Sequence, residues 1–345
     1  MMKRCNEDFI RSKALKLLIS REMPVKDARI FIDSMISADL CGISTHGIRM
    51  LPIYVEKIEK GNYSYEEIEI KKQFPAFTII NSKNTIGAIS ASKATDIAIE
   101  KARTEGIHTV FANNSNTFGS GLYFVEKIAN AGQIGFICCN SPAAMPAFNG
   151  LEAMLGTNPL AFASPTKSYG NITLDMATSV VAKSKFGLAK ANGEKLEIGW
   201  AIDSEGNPTI DPDEAMSGFV LPTGGFKGYG IAMIIDILSG FLSGAAYLNR
   251  VGKFYSESGD CMNVGHLIIA INPEIIYEGD FKSDMDRYIE ILKNSKAVKG
   301  KDIVIPGDRS KSRKLENKKL GIILSDEVIR KLEYLFDEKM EYVLD

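Results

Sequence analysis

His46 is the residue of this sequence best suited to acid–base chemistry. Imidazole titrates close to neutral pH and serves most often as a general acid or base. The chain has three histidines, and His46 stands in Ser44-Thr-His-Gly47, between hydroxyl-bearing residues and a glycine that allows close backbone approach. The residues alone leave two interpretations open: a general acid/base, or a histidine that only ends a helix.

The other two histidines stand in contexts that favour structural roles. His108 precedes a strand-like run, and His266 opens the apolar run 267–271. A polar side chain that is buried and hydrogen-bonded there is the simpler interpretation of both.

A glycine-rich segment, Gly-Gly-Phe-Lys-Gly-Tyr-Gly at 224–230, precedes a predicted helix. Its spacing differs from the Gly-x-Gly-x-x-Gly of a Rossmann dinucleotide site. Backbone amides at the helix N-terminus, together with Lys227, could bind a phosphate. A tight turn that only leads into a packed helix is the alternative, and both remain open.

Signatures of other catalytic classes are missing from the sequence. It has no His-Glu-x-x-His and no paired Cys-x-x-Cys, so no metal site is expected. It also has no Gly-x-Ser-x-Gly nucleophile elbow and no phosphate-binding Gly-x-x-x-x-Gly-Lys-Ser/Thr loop. Esterase and P-loop chemistry are therefore not favoured.

The composition indicates a globular enzyme with a small-molecule partner. Forty-one basic and 43 acidic residues leave a net charge of -2, which attracts neither nucleic acid nor an anionic membrane. The charged N-terminus lacks the apolar core of a signal peptide, and no run approaches the roughly 18 apolar residues of a membrane span. The five cysteines, including adjacent Cys138 and Cys139, are interpreted as reduced thiols. We therefore expect a cytoplasmic protein.

Hydrophobic periodicity predicts a mixed α/β chain around these residues. Helical spacing over 7–61 predicts a helical N-terminal region that carries His46. Strands are predicted at 77–80, 109–112, 134–138 and 265–271. Helices are predicted at 90–103, 122–131, 230–246, 281–296 and 325–341. The basic run 309–314 is interpreted as a solvated linker or helix face.

Eight segments in order make the sequence resemble the type 2 malate/L-lactate dehydrogenase family. They are 38–47 with 51–54, 114–119, 156–162, 175–182, 199–203, 224–230, 265–266 and 305–308. This family also includes ureidoglycolate, sulfolactate and diketogulonate oxidoreductases and cyclic imino-acid reductases. Any one segment could arise by chance, but their number and order argue against coincidence.

The resemblance implies an α/β fold: a non-Rossmann, mixed-sheet NAD(P)-binding domain beside a helical domain built from both chain termini. The helical domain is expected at 1–75, packed with 310–345. The cofactor and substrate region is expected at 76–309, with a helical subdomain at 183–250. A homodimer is also implied, as is hydride transfer between NAD or NADP and a 2-hydroxy or 2-oxo acid, a related ketone or a cyclic imine.

The resemblance also implies roles for individual residues. His46 would exchange a proton with the substrate oxygen or imine nitrogen, and Thr45 would orient its ring. The implied substrate-binding residues are Arg49, Met50, Tyr54 and Thr117. The implied cofactor-binding residues are Asn116, Phe118, Gly119, Asp175, Met176, Ala177, Thr178, Lys185, Gly225, Lys227, Gly228, Pro306, Gly307 and Asp308.

Two positions depart from the family pattern. Met50 stands where members usually carry the arginine that pairs with the substrate carboxylate, and Thr117 stands where they usually carry histidine. Arg49 could substitute in part, although one residue turns a helical side chain by about 100°. Loss of a bidentate arginine removes roughly 1.5–3 kcal/mol of binding, so we expect altered substrate scope. The alternative is a catalytically inactive, cofactor-binding regulatory protein.

Overall fold

The structure is a computed structural model that describes residues 2–256 and 261–343. The outermost limits of the expected domains, and residues 257–260 of the expected cofactor and substrate region, lie outside the described residues. The helices are α1 (Glu7–Ile19), α2 (Val25–Leu40), α3 (Leu51–Glu59), α4 (Gly87–Glu105), α5 (Leu122–Asn130), α6 (Ser184–Asn192), α7 (Pro212–Ser217), α8 (Phe226–Ile235), α9 (Pro273–Ile276), α10 (Phe281–Lys293), α11 (Asp308–Leu320) and α12 (Asp326–Phe336). The search of the described helices found none with the length and apolar character needed to cross a membrane.

The strands build one large sheet and several small ones. They are β1 (Met2–Cys5), β2 (Glu69–Gln73), β3 (Phe77–Asn81), β4 (Ile107–Ser115), β5 (Ile134–Cys139), β6 (Met145–Pro146), β7 (Ala153–Leu155), β8 (Leu160–Ser164), β9 (Ile172–Met176), β10 (Ala201–Ile202), β11 (Pro208–Thr209), β12 (Phe219–Val220), β13 (Val264–Ile271) and β14 (Ile322–Ser325). The large sheet has seven strands in the order β2-β3-β4-β13-β5-β8-β9.

This sheet is mixed. β3 and β4 run parallel, whereas the other neighbouring strands run antiparallel. A Rossmann domain has a mostly parallel sheet in a different strand order. The predicted class, an α/β fold with a non-Rossmann mixed sheet, is therefore confirmed.

Strand β13 lies in the middle of the sheet and is mostly buried. Both α4 and a π-helical segment, Asp236–Phe241, pack against it, and a strand that is covered in this way needs an almost continuous apolar sequence. A Cβ on Gly265 would lie 1.7 Å from the carbonyl oxygen of Ser239. Only glycine allows the π-helical segment to approach β13 so closely.

The two ends of the chain pack together around the helices that flank His46. β1 pairs antiparallel with β14, and α12 packs against α1 and α3. Asn317 of α11 donates from Nδ2 to the carbonyl oxygens of Asp39 (3.3 Å) and Leu40 (3.0 Å) at the C-terminal end of α2. The C-terminal segment therefore anchors the helix that precedes the His46 turn.

Most predicted elements are confirmed, and the differences have local causes. The helix predicted at 230–246 begins at Phe226, after Gly225 at φ 63°, and continues as the π-helical segment from Asp236. The helix predicted at 325–341 ends at Phe336 because Asp337 takes a left-handed conformation. The basic run 309–314 lies in α11. The 183–250 region, expected to be helical, also contains the three-stranded sheet β11-β10-β12.

Candidate active site

His46 lies on a short connection between two anchored helices. It ends the 3-10 turn Ser44–His46, and a second turn, Ile48–Met50, leads directly into α3. The His46 side chain is exposed, yet desolvation by surrounding protein lowers its pKa. The imidazole is therefore open to a substrate from solvent, although the protein around it disfavours its charged form. A histidine with a lowered pKa is neutral at pH 7 and can accept a proton.

The backbone of the segment 117–119 packs against His46. Gly119 has φ +83°, and a Cβ built on it would lie 3.9 Å from the Cβ of His46. The Gly119 N–H donates to Oγ1 of Thr117 at 3.5 Å, and the Thr117 side chain is half-buried. The structure thus brings Gly119 of the segment 114–119 next to His46 of the segment 38–47.

The carboxylate of Asp175 is electrostatically coupled to His46. It accepts hydrogen bonds from Oγ of Ser120 (2.6 Å) and from the backbone N–H of Leu122 (3.1 Å), at the N-terminus of α5. Burial raises the pKa of Asp175, while these hydrogen bonds and His46 act to lower it. The negative charge in turn raises the pKa of His46, against the larger effect of desolvation. Sequence analysis assigned Asp175 only to the cofactor, and this coupling was missed.

The structure places residues 176–178 next to the glycine-rich segment. The N–H of Thr223 donates to the carbonyl oxygen of Thr178 at 2.8 Å. A Cβ on Gly228 would lie 2.1 Å from the Thr223 oxygen and 3.0 Å from the Thr178 oxygen, so glycine is needed for this contact. Two separate groups of expected cofactor residues therefore meet at the N-terminus of α8.

The N-terminus of α8 has the features of a phosphate-binding site. Gly224 and Gly225 both have positive φ, and a Cβ on either would meet nothing within 4 Å. Lys227 in the first turn is exposed. Free backbone N–H groups at a helix N-terminus beside an ammonium suit the pyrophosphate of a dinucleotide. Lys185, in contrast, has its Nζ over the ring of Trp200, 5.1 Å from the centroid.

The segment 306–308 contacts strand β9 near Thr173, at the opposite end of the strand from residues 176–178. The N–H of Thr173 donates to the carbonyl oxygen of Pro306 at 3.1 Å, and a Cβ on Gly307 would lie 2.3 Å from Oγ1 of Thr173. Asp308 begins α11 and accepts from Nζ of Lys293 at 3.0 Å. Thr173 and Asp175 share a face of β9 because alternate strand residues point the same way. β9 therefore connects the segment 306–308 to the neighbourhood of His46.

Three expected site residues have side chains that are buried in the protein. Asn116 donates from Nδ2 to Oδ1 of Asn84 and to the carbonyl oxygen of Thr85, both at 2.9 Å. The Phe118 ring packs against other aromatic rings, and Tyr54 lies in the main core, where burial raises its pKa. These side chains hold the loops of the site in place rather than line its surface.

The residues that depart from the family pattern lie beside the His46 turn. Met50 is half-buried and packs against the main core. Arg49 is exposed, and its charge acts to lower the pKa of Asp39 and of Glu327 on α12. The positive charge of Arg49 therefore acts on two carboxyl groups of the protein itself.

Both other histidines are buried as expected, but the hydrogen-bonded interpretation is confirmed in full only for His108, because Nδ1 of His266 has no partner in the part of the chain that the structure describes. The ring of His108 is buried and hydrogen-bonds to Oγ1 of Thr78 and to the carbonyl oxygen of Pro75, both at 2.9 Å. His266 is buried against the carbonyl oxygen of Asn116 (2.9 Å), and burial lowers its pKa to about 4. Within the described residues, no group of three metal-binding side chains occurs.

Comparisons with known proteins agree with this geometry. The family model for malate/L-lactate dehydrogenase matches residues 6–333. The malate/(S)-sulfolactate dehydrogenase of Methanothermus fervidus is 36% identical over 330 residues, covering 95% of this chain and 96% of that protein. The ureidoglycolate dehydrogenase (NAD(+)) of Escherichia coli K12 is 31% identical, covering 94% and 92%. The solved sulfolactate dehydrogenase from Methanocaldococcus jannaschii superposes with a TM-score of 0.90 at 33% identity, covering 98% of both chains.

The coupling of Asp175 to His46 predicts the effect of a neutral replacement. In Asp175→Asn the amide oxygen can still accept the hydrogen bonds at α5, but the negative charge is gone. We expect the His46 imidazole, followed by NMR, to titrate at lower pH than in the wild type. Asp211→Asn is the matched control, because Asp211 caps α7 by the same kind of contact. An unchanged or raised midpoint in Asp175→Asn would contradict the coupling.

Proposed function

Because the chain belongs to the malate/L-lactate dehydrogenase family and is therefore an oxidoreductase, we propose that His46 is its general acid/base. The reaction is hydride transfer between a nicotinamide cofactor and a hydroxy acid, a ketone or a cyclic imine. The observation that carries this proposal is that the His46 side chain is exposed, has a lowered pKa and lies within electrostatic reach of Asp175 on β9.

Three side chains carry out the protein's part of the reaction. Bound nicotinamide supplies the hydride donor or acceptor. In the oxidation direction neutral His46 accepts the proton of the substrate hydroxyl at its ring nitrogen, and in reduction the imidazolium returns it. Asp175 stabilises that imidazolium through its charge, while Thr45, the preceding residue, orients the ring.

The cofactor would lie along the elements that meet β9. Its pyrophosphate would contact the backbone of Gly225 and the Lys227 ammonium at the N-terminus of α8, which attract anions. Residues 175–178 and 306–308 would bind its remaining parts. Either NAD or NADP suits these residues, and one similar protein carries NAD(+) in its name.

Replacing His46 with alanine separates catalysis from cofactor binding. We expect the turnover number to fall by about 10²–10⁴-fold, the typical contribution of a general acid/base. Quenching of NADH or NADPH fluorescence should stay as in the wild type, because no cofactor contact is removed. A loss of less than tenfold would disprove the role of His46. Cofactor binding by the wild type without hydride transfer to any keto acid or imine would instead support the regulatory alternative.

We propose further that the substrate differs from malate and lactate at the end that faces position 50. Met50 carries no charge and packs against the core. The Arg49 charge already acts on the Asp39 and Glu327 carboxyl groups of the protein. A carboxylate there lacks a charge-assisted contact of roughly 1.5–3 kcal/mol. A less charged, more apolar group would fit better.

Met50→Arg tests this substrate proposal. We expect kcat/KM for malate to rise about tenfold to a hundredfold, because 1.4 kcal/mol corresponds to a factor of ten, while values for a neutral ketone stay the same. Ile291→Arg, which adds the same charge at an exposed position of α10, is the control and should change malate turnover little. Efficient wild-type turnover of malate or lactate, at about 10⁴ M⁻¹s⁻¹ or above, would refute the proposal.

A homodimer completes the proposal. Large apolar side chains are exposed along α8 and the π-helical segment: Phe226, Ile231, Met233, Ile234, Ile237, Phe241 and Leu242. We call these residues the α8 face. Contiguous exposed apolar surface of this kind marks an interaction site, and a two-fold dimer would pair the face with its own copy.

Light scattering tests the dimer. We expect the wild type to have twice the mass of one chain, and Ile234→Asp to have the mass of one chain, because it puts a charge into the buried interface. Ile291→Asp, on an exposed apolar residue of α10 outside the α8 face, is the control and should leave the mass unchanged. A monomeric wild type, or a dimeric Ile234→Asp, would contradict the proposal.

A further inference from the structure

The Asp39 side chain lies directly beneath the backbone that follows His46. Its Oδ2 accepts the N–H of Ile48 at 2.7 Å. A Cβ on Gly47 would lie 1.9 Å from Oδ1 and 2.4 Å from Oδ2 of the same carboxylate. The carboxylate therefore occupies the space that a side chain at position 47 would need, and the two residues after His46 rest on it.

Asp39 itself is held firmly. It is the penultimate residue of α2 and only 5% exposed. The amide of Asn317 on α11 donates to its carbonyl oxygen and to that of Leu40. The contact from Asp39 to Ile48 thus links the His46 turn to a helix end that the C-terminal segment anchors.

An ionised carboxylate at this position lowers the stability of the folded protein. It lies at the C-terminal end of a helix, where the helix dipole disfavours negative charge. Burial raises the pKa of Asp39 to about 7, against smaller effects of the Ile48 N–H and the Arg49 charge. An asparagine oxygen would accept the same hydrogen bond without these costs. Residues that cost stability are retained most often where function requires them.

We propose that Asp39 is a positioning residue that holds His46 in its catalytic place through the backbone of Gly47 and Ile48, more firmly when charged than when neutral. This inference rests on the proposed role of His46. A charge-assisted hydrogen bond is shorter and stronger than a neutral one. Arg49 is the charged group that acts on the Asp39 carboxyl within the described residues, and it also faces Glu327; α11 presents the uncharged Asn317.

The first test compares Asp39→Asn with the wild type and with Asp33→Asn. Asp33 lies on the same helix and pairs with Arg11 near the surface, so it is the matched control. On the best substrate of a panel of hydroxy acids, ketones and cyclic imines, we expect kcat of Asp39→Asn at pH 8 to fall about tenfold, because small displacements of a catalytic group are costly. Cofactor KM should not change. The pH profile of kcat should lose an ionisation near pH 7 that Asp33→Asn retains.

The same variant should change stability and activity in opposite directions. Asp39→Asn is expected to lower kcat but to raise the melting temperature, a combination that a merely structural residue would not show. The pKa of Asp39 is raised from 3.8 to about 7, so the folded protein keeps a proton that the unfolded chain releases within this range. Stability from the neutral carboxyl is present below pH 3.8 and is lost as the pH rises to about 7. Asp39→Asn should therefore melt at a higher temperature than the wild type at pH 8, with a smaller difference at pH 5.

An NMR experiment that needs no turnover tests this inference independently of the proposed catalytic function. With ¹³C-labelled histidine, the His46 signal of the wild type and Asp33→Asn should shift in two steps, one from its own titration and one from Asp39. Asp39→Asn should show only the first step. Wild-type kcat and profile in Asp39→Asn, a persisting second step, or failure of that variant to fold would each overturn the proposal.

Discussion

The half-buried carboxylate of Asp175 is the interaction on which the site depends. A carboxylate that loses solvent needs donors, and here they come from Ser120 and from the backbone at the N-terminus of α5, where the helix dipole favours negative charge. These bonds tie β9, the edge strand of the large sheet, to the loop that follows β4. The same loop packs the backbone of Gly119 against His46, so one carboxylate both anchors the loop beside His46 and acts on the charge of the imidazole.

His46 is thus governed by two carboxylates that act in different ways. Asp175 acts through its charge and favours the imidazolium, which opposes desolvation. Asp39 acts through the backbone, by filling the space beside Gly47 and accepting the Ile48 N–H. Burial raises the pKa of both carboxyl groups, so both cost stability when ionised. In the proposed role of His46, folding free energy is therefore lost at two carboxylates, one that stabilises the imidazolium and one that supports the backbone after the ring.

Met50 and Thr117, the two residues that differ from the family pattern, lie beside side chains that hold the loops around His46 in place. Asn116, Phe118 and Tyr54 fix the loops by burial and hydrogen bonding. Met50 and Thr117 are half-buried and adjoin the His46 turn and its neighbour loop. If substrate binds beside His46 as proposed, substitution at these two positions would change the side chains that it contacts and leave the contacts of Asn116, Phe118 and Tyr54 in place.

The sequence by itself predicted the mixed α/β class and most of the strands and helices, because apolar periodicity and local residue types depend on near neighbours in the chain. Its resemblance to a known family, rather than any local pattern, implied the non-Rossmann sheet and the acid/base role of His46. The start of α8 was misplaced because its glycines suggest a turn, whereas only Gly224 and Gly225 take positive φ and Gly228 packs inside the helix. Only the tertiary structure decided which carboxylates act on His46. Asp175 reaches it from the far edge strand, and Asp39 becomes a support only because Gly47 leaves room for it. Such contacts depend on how distant segments pack and on which groups lose solvent, and no local pattern encodes them.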